Sequence, residues 1–389
     1  MTQPIALNSA LHQTMQTWRR DIHQHPETAY EEFRTSEKVA QQLKALGLEV
    51  HEHIGGTGIV AILQGSQGTG RHIGLRADMD ALPLTELNTF AHKSCHEGKM
   101  HGCGHDGHTT MLLGAATYLA EHNDFKGTVY FIFQPAEEGF AGAKRMIEEG
   151  LFTRFPIEEV YGMHNWPDLP AGQFAIHAGA VMASTDSFYI TITGKGGHAA
   201  MPDGVVDPIV VAGQLILAMQ TVVSRNLSPL HNGVVSITQI HGGSAINIIP
   251  EDVKLCGTIR TLAEQQRTLI KERLAHIVTQ TAQTFGAQAD LTIKSLYPVT
   301  QNTEQEAEYC YEAAKSLVGD SNTLWNPLPS MAAEDFSFML QQRPGAYIWI
   351  GNGGTTHTRP LHNPYYDFND AILPLGASFW VRLVQERCT

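Results

Sequence analysis

Short apolar runs keep returning between segments of helical periodicity, and no other feature of this chain restricts its fold as much. Residues 59–63, 72–76, 128–134, 160–164 and 346–350 read as buried strands. Between them, residues 35–46 form a helical segment that ends at Gly47, a stretch after Gly107 carries Met111, Leu112, Ala115 and Leu119, and residues 142–149 form another. An earlier helix begins near Asn8 or Ser9, with Leu11, Met15, Trp18 and Ile22 on one face. Strands separated by helices predict an α/β fold around a mainly parallel sheet.

Near residue 183 the texture changes. Residues 187–193 and 234–240 alternate apolar and polar side chains, and 253–260 is again strand-like, so these strands have one open face. Two long helical segments, 208–223 and 264–285, accompany them. The expectation is a smaller α+β domain over 183–295, inserted into a larger one made of 1–182 and 296–389. The larger domain resumes with a helix at 304–317 and closes with a helix from about Asn369. A chain of 389 residues exceeds the size at which a single core stops growing, which agrees with two domains. With 42% hydrophobic and 17% charged residues there is no room for long disordered tracts, and no internal repeat interrupts the pattern.

A formal charge of −13 works against nucleic acid and anionic lipid, both of which are bound through clustered Lys and Arg. Residues 1–27 contain no continuous apolar stretch and therefore no secretory signal. The most apolar window, 205–219, is interrupted by Asp207, Pro208 and Gln214, so a cytoplasmic protein without a membrane segment is expected. Cysteines at 95, 103, 256, 310 and 388 are odd in number and widely spaced, unlike a disulfide framework. The twenty histidines stand out more, because several lie beside Gly, Asp, Glu or Pro and outside periodic apolar segments.

In Met100-His101-Gly102-Cys103-Gly104-His105-Asp106-Gly107-His108, glycines separate potential ligands just before a helix. In an extended segment Cys103 and His105 project from the same side, so thiolate and imidazole can converge. Glu137 and Glu138, in Gln134-Pro135-Ala136-Glu137-Glu138-Gly139, follow a strongly apolar strand, at the sheet end where open α/β folds bind ligands. Neighbouring side chains diverge, so one carboxylate can face a metal and the other a water. His164 closes another apolar strand, and His362 lies in Leu361-His362-Asn363-Pro364. Taken singly, each is a capping loop, a solvated acidic turn or a satisfied structural histidine. Four such features in one α/β domain point instead to a metal site, with Asp78 and Asp80 after yet another strand orienting a metal-bound histidine.

The ordered set RADMDALP, MHGCGHDGH, QPAEEG, HNWP, GKGGHAAMP, NIIP, GTIRT and LHNP resembles the M20 family of metallopeptidases across nearly the whole chain. The likeness is to its amidohydrolase branch of hippurate hydrolases, N-acyl-amino-acid amidohydrolases and auxin-conjugate hydrolases. That resemblance implies two divalent ions per chain: Cys103 bridges, His105 and His164 complete one site, and Glu138 and His362 complete the other. It makes Glu137 the general base. It also implies a satellite domain that forms a homodimer, in which His198 and Asn247 reach substrate, His198 often across the interface, and Arg260 meets the substrate carboxylate. Many relatives carry an apolar residue where this chain has Asn165, which puts only the shape of the neighbouring pocket in doubt.

The implied reaction is hydrolysis of the amide bond of N-acyl amino acids such as hippurate or N-acetyl amino acids. Mixed sulfur, nitrogen and oxygen donors suit manganese, zinc, cobalt or nickel. Three other readings compete: an aminopeptidase or carboxypeptidase using the same metals on short peptides, a cysteine hydrolase using Cys103 with His105, and a non-catalytic metal-binding scaffold. Retention of Glu137 counts against the last.

Overall fold

The computed structural model describes residues 8–355 and 357–389, so the first seven residues of the segment 1–27, where no secretory signal is expected, lie outside the described residues. The chain divides into two compact units. One comprises Met1–Val181, Gln301–Pro329 and Asp335–Thr389, and the other comprises Met182–Thr300 and Ser330–Glu334.

The first unit is built on an eight-stranded sheet. Its spatial order is Glu49–Ile54, Gly58–Gln64, Thr128–Gln134, His72–Asp78, Glu159–Pro170, Gly345–Gly353, Phe174–Ile176, Thr323–Trp325. The four central strands run parallel, whereas Glu49–Ile54 and Gly58–Gln64 form an antiparallel flank and Phe174–Ile176 turns against Gly345–Gly353. Thr128–Gln134 and Gly345–Gly353 are buried along their whole length, which is why they read as continuous apolar runs. Helices cover the sheet: Leu75, Phe131, Tyr161 and Ile348 share one core with Met111, Leu112 and Ala115 of His105–Glu121 and with Trp380 and Val384 of Leu373–Arg387. That last helix starts four residues after the expected Asn369. The Asn369 side chain accepts from the Ala371 N–H and caps a separate 3-10 turn, Asp370–Ile372.

His72–Asp78 lies between Thr128–Gln134 and Glu159–Pro170, so strands that follow one another in sequence leave to opposite sides of it. Crevices open at the C-terminal ends of strands at such a reversal. Asp78 and Gln134 end their strands there, and His164 is level with Asp78, although its own strand does not close at His164 as expected but runs on to Pro170.

The second unit is a four-stranded antiparallel sheet in the order Gly233–Gly242, Asp252–Thr261, Ser184–Thr193, Gln288–Ser295. Pro208–Thr221 and Glu264–Thr284 pack on one face, where Phe188, Ile190, Ile192 and Leu255 meet Val211, Leu215, Ile270 and Leu274. The opposite face stays open, which explains the alternation along Ser184–Thr193. Asp186, buried on this sheet, is held below the usual carboxylate range: burial works to raise it, but the Arg267 and Lys271 cations, each 2.8 Å away, outweigh that. Pro208–Thr221 runs on through a π turn to Asn226, and an 18-residue window of this stretch is apolar, with mean hydropathy 1.3. Only 33% of that window is buried, and Ile209, Val210 and Leu217 point outward at 47%, 54% and 67% exposure.

Candidate metal centre

The turn after Thr128–Gln134, the strand Glu159–Pro170, the start of the helix His105–Glu121 and two loops of the first unit bring six of the sequence-selected residues together. Ligand atoms of Cys103, His105 and His164 all lie within 4.8 Å of one another, as do those of Cys103, Glu138 and His362, and those of His105, Glu137 and Glu138. Cys103 is therefore common to two triads. Convergence of Cys103 and His105 does not come from the extended backbone expected above. Gly104 between them takes φ +92°, and His105 is already the first residue of the helix His105–Glu121. A left-handed turn followed by a helical start folds the two side chains back toward each other, and glycine permits it without a Cβ penalty.

The glutamate pair sits on a tight turn immediately after Thr128–Gln134. Ala136 (φ 53°), Gly139 (φ 85°) and Ala141 (φ 55°) all occupy the left-handed region, which costs roughly 1–2 kcal/mol at each alanine. Such strain persists where surrounding contacts over-determine the backbone. Here Glu32 accepts from the Ala136 N–H at 2.9 Å and Asp80 Oδ2 accepts from the Glu138 N–H at 2.9 Å. Below the turn, Arg76 donates to Gln134 and Asp335, Gln134 donates to Asp335, and the Asp335 N–H donates to Glu137 Oε1 at 3.4 Å. His362 is also left-handed (φ 63°), and its N–H donates to the Gly102 carbonyl at 2.8 Å, tying it to the cysteine loop.

Hydrogen bonds orient both candidate imidazoles in the same sense. His105 Nδ1 donates to Asp80, at 2.9 Å to the carbonyl and 3.2 Å to Oδ1, and His164 Nδ1 donates to the Asn165 carbonyl at 2.6 Å. Each Nε2 is left facing the cluster, and His164 Nε2 stands 3.4 Å from Cys103 Sγ. His105 Nε2 and Glu138 Oε1 are buried and make no hydrogen bond, although Glu138 Oε1 is 3.2 Å from His362 Nε2. A buried nitrogen lone pair and a buried carboxylate oxygen facing a thiol are costly without a partner, and divalent cations answer all three. The donor set thus fits two cations with Cys103 between them.

The protein field around the site is strongly negative. Burial pushes the Cys103 thiol up, and Glu138 and Glu137 push it further, well above the ordinary thiol range. Burial pulls His105 down, but Asp78, Asp80 and Glu138 outweigh it and raise the imidazole to about 10. His164 goes the other way, held low by burial and by the neighbouring His108 ring. For Glu138, burial works upward while His362 and His105 draw the carboxyl below its usual range.

Of the two aspartates expected to orient a ligand histidine, Asp80 holds His105, whereas Asp78 Oδ1 bonds His108 at 2.7 Å and its Oδ2 pairs with Arg76 at 2.7 Å. His108 lies within the quoted glycine-rich motif but was given no role, and Tyr366, Glu32 and Asp335 were not singled out in the sequence.

The remaining sequence-selected residues, His198, Asn247 and Arg260, lie in the second unit. His198 and Asn247 are neighbours there, because Gly197–His198 pairs with Ile248–Ile249 and the Ala199 N–H donates to the Asn247 carbonyl at 3.1 Å. Both are exposed. Arg260 is half-buried near the end of Asp252–Thr261, opposite Thr185 and Val234. The hairpin of His198 adjoins the other end of that strand, where Gly194 N–H bonds the Glu251 carbonyl. Eight residues at about 3.3 Å each separate Asp252 from Arg260, so Arg260 and the hairpin of His198 adjoin opposite ends of a run roughly 26 Å long.

Residues 74–386 match the family described as peptidase family M20/M25/M40. The chain belongs to that family. Hippurate hydrolase of Campylobacter jejuni is 43% identical over 365 residues, covering 94% of each chain. N-acetylcysteine deacetylase of Bacillus subtilis is 37% identical over 378 residues and 97% of each. Among solved structures, a dinuclear metal-binding M20 peptidase from Bacillus subtilis superposes with a TM-score of 0.86 at 33% identity, covering 97% of this chain and 98% of that one. This family member thus shares its fold with a protein described as dinuclear and most of its length with two acyl-amino-acid hydrolases.

Proposed function

We propose that the protein hydrolyses the amide bond of N-acyl amino acids, releasing a carboxylic acid and a free amino acid, at a two-cation centre. Cys103 would be shared, with His105 and His164 completing one site and Glu138 and His362 the other. The observation that carries this reading is the membership of Cys103 in both triads, with the Glu137 carboxylate beside them. Two divalent cations, when bound, polarise an amide carbonyl and acidify a water, the two difficulties of amide hydrolysis. Manganese, zinc, cobalt and nickel all suit the donor set.

Glu137 takes the proton from the attacking water as the C–O bond forms, and returns it to the amide nitrogen as the C–N bond breaks. Glu137 is buried, and the Asp335 N–H donates to its Oε1, so the carboxylate is held in one orientation. His198 is assigned to the developing oxyanion, Asn247 to the substrate, and Arg260 to the α-carboxylate through a planar paired contact. The domain over residues 183–295 is assigned as the satellite domain of a homodimer. The outward Ile209, Val210 and Leu217, together with the edge strand Gly233–Gly242, support an interface there. Arg260 and the hairpin of His198 adjoin opposite ends of a strand run roughly 26 Å long, more than an N-acyl amino acid spans, which favours their coming from different chains to a single substrate. All five cysteines are unpaired, Cys95 in an exposed position, which suits a reducing cytoplasm.

The peptidase description of the Bacillus subtilis structure favours one other reading, cleavage of short peptides at the same centre. A single screen separates the two: N-acetyl, N-benzoyl and indole-acyl amino acids are compared with free dipeptides, and metal content is measured on the same sample. Turnover of blocked amino acids alone, with up to two metals per chain, supports the proposal. Turnover of dipeptides alone, or full activity in rigorously metal-free protein, overturns it.

A further inference from the structure

Asn165 follows a candidate ligand directly, and every polar atom it owns is engaged. It is fully buried. Its side-chain Nδ2 donates to the Cys103 carbonyl at 2.7 Å and approaches His108 Nε2 at 3.0 Å, while its Oδ1 accepts from the Tyr366 hydroxyl at 2.8 Å. Its backbone N–H donates to His108 Nε2 at 2.9 Å, and its carbonyl accepts from His164 Nδ1 at 2.6 Å. We infer that Asn165 is a positioning residue for the metal centre, clamping Cys103 through its carboxamide and His164 through its carbonyl, so that two ligands of one cation are held by one residue.

Three features of the geometry support a clamp over ordinary packing. The space it fills exists only because residue 104 is glycine: a Cβ there would lie 2.2 Å from Asn165 Nδ2 and 2.6 Å from the Tyr366 hydroxyl. The loop it grips, Gly102-Cys103-Gly104, has a glycine on each side of the thiol and little conformational preference of its own. The amide orientation is dictated as well, because Nδ2 faces two acceptors and Oδ1 faces a donor.

The same contacts commit His108. A backbone N–H can only donate, so His108 Nε2 accepts, and its proton resides on Nδ1 toward Asp78 Oδ1 at 2.7 Å. Both nitrogens of His108 are therefore spent, whereas His105, three residues earlier, keeps Nε2 free. Asn165 thus helps to decide which histidine of the motif is available to a cation.

This inference rests on the two-cation reading, and cobalt titration of the apoprotein tests the two separately. Thiolate-to-cobalt charge transfer in the near ultraviolet reports Cys103 directly, and a competing chelator gives the affinity. In Asn165→Leu the carboxamide is lost at similar volume, and in Asn165→Asp an oxygen replaces the amide donor against two acceptors. Both are expected to weaken cobalt binding about 10–100-fold and to shift or diminish the charge-transfer band, as loss of a ligand-orienting partner does. Tyr366→Phe, which keeps the packing and removes one hydroxyl, should move both readouts the same way by less. Leu43→Ala, a buried core truncation outside the site, should lower the apoprotein melting temperature and leave both unchanged. If wild type shows no thiolate band, the metal assignment of Cys103 falls and this inference with it. If wild type shows the band and the Asn165 and Tyr366 variants match it in affinity and spectrum, the inference alone is overturned. Should Asn165→Leu fail to fold, Asn165→Asp and Tyr366→Phe decide.

Discussion

Glu137 and Glu138 are adjacent in the chain and unequal in surroundings, and their substitutions should separate accordingly. Glu138 Oε1 is a buried oxygen 3.2 Å from His362 Nε2 and 3.9 Å from His105 Nε2, whereas Glu137 shares a triad with His105 and Glu138 but neither of the triads containing Cys103. Glu137→Gln is expected to retain its metals and lose roughly a hundred-fold or more in turnover, the scale for removing a general base. Glu138→Gln should weaken metal binding, and metal analysis of the two proteins with single-turnover rates checks the pair; the reverse pattern would exchange their roles. Protonation belongs to the same scale. Without metal, His105 is raised to about 10 and the Cys103 thiol stands well above its usual range. Cation binding requires thiolate and neutral imidazole, so it must release protons, and apparent affinity should strengthen as pH rises from about 6 to 9. Calorimetric titration in buffers of different ionisation enthalpy counts those protons. Both groups bind protons more tightly when folded than when unfolded, so the His105 contribution to apoprotein stability is present below an ordinary histidine pKa of about 6.5 and is lost as pH climbs through about 10, and that of the Cys103 thiol begins to fall only above an ordinary thiol pKa of about 8.5. Metal-loaded protein should not show that loss; a flat apoprotein profile across the window would contradict the proposed electrostatics.

Turns after the central strands carry the ligands, and their backbone conformations are as specific as the side chains. Gly104 joins a left-handed turn to the start of the helix His105–Glu121, with Asn165 and Tyr366 pressed against it. Gly104→Ala combines a positive-φ penalty with a clash against buried groups, and should destabilise by roughly 2–5 kcal/mol. Chemical denaturation of the apoprotein measures this directly, and a loss below the φ penalty alone would mean that the loop shifts freely. In the second unit the helix Pro208–Thr221 presents the opposite case, an element whose outer face is apolar without a partner within its own unit. Leu217→Glu is expected to leave the fold intact and convert a dimer to a monomer in sedimentation velocity, since its side chain is 67% exposed and lies outside the core. An unchanged sedimentation coefficient at all concentrations would remove this face from any interface.

For the whole molecule, the separation of His198 from Arg260 makes a testable statement about how many chains complete one site. An inactive His198→Ala chain mixed with an inactive Glu137→Gln chain should recover part of the wild-type activity, because some heterodimers then contain one intact composite site. Arg260→Ala should mainly raise the Michaelis constant for substrates with a free α-carboxylate and matter far less for the corresponding amides. Wild-type kinetics in His198→Ala would take the satellite domain out of the mechanism.

Residue order was enough to place the central strands and the helices between them, because burial on both faces writes continuous apolar runs and burial on one face writes alternation, both local patterns, but it did not mark Glu49–Ile54, Phe174–Ile176, Thr323–Trp325 or Gln288–Ser295. It also marked Cys103, His105, Glu137, Glu138, His164 and His362, since thiol, imidazole and carboxylate donors beside glycines and strand ends are visible one motif at a time. It chose His105 over His108 by spacing and resemblance, but could not show what reaches their nitrogens from elsewhere: Asp80 for one, Asp78 and Asn165 for the other. Asn165 was legible as a departure but not as a clamp, for its partner Tyr366 is 201 residues away. Nor did any spacing announce that Cys103 belongs to two triads, one closed by His164 and the other by His362. Such facts depend on distances between residues remote in the chain, and only tertiary packing, which brings strand ends and loops to one place, decides them.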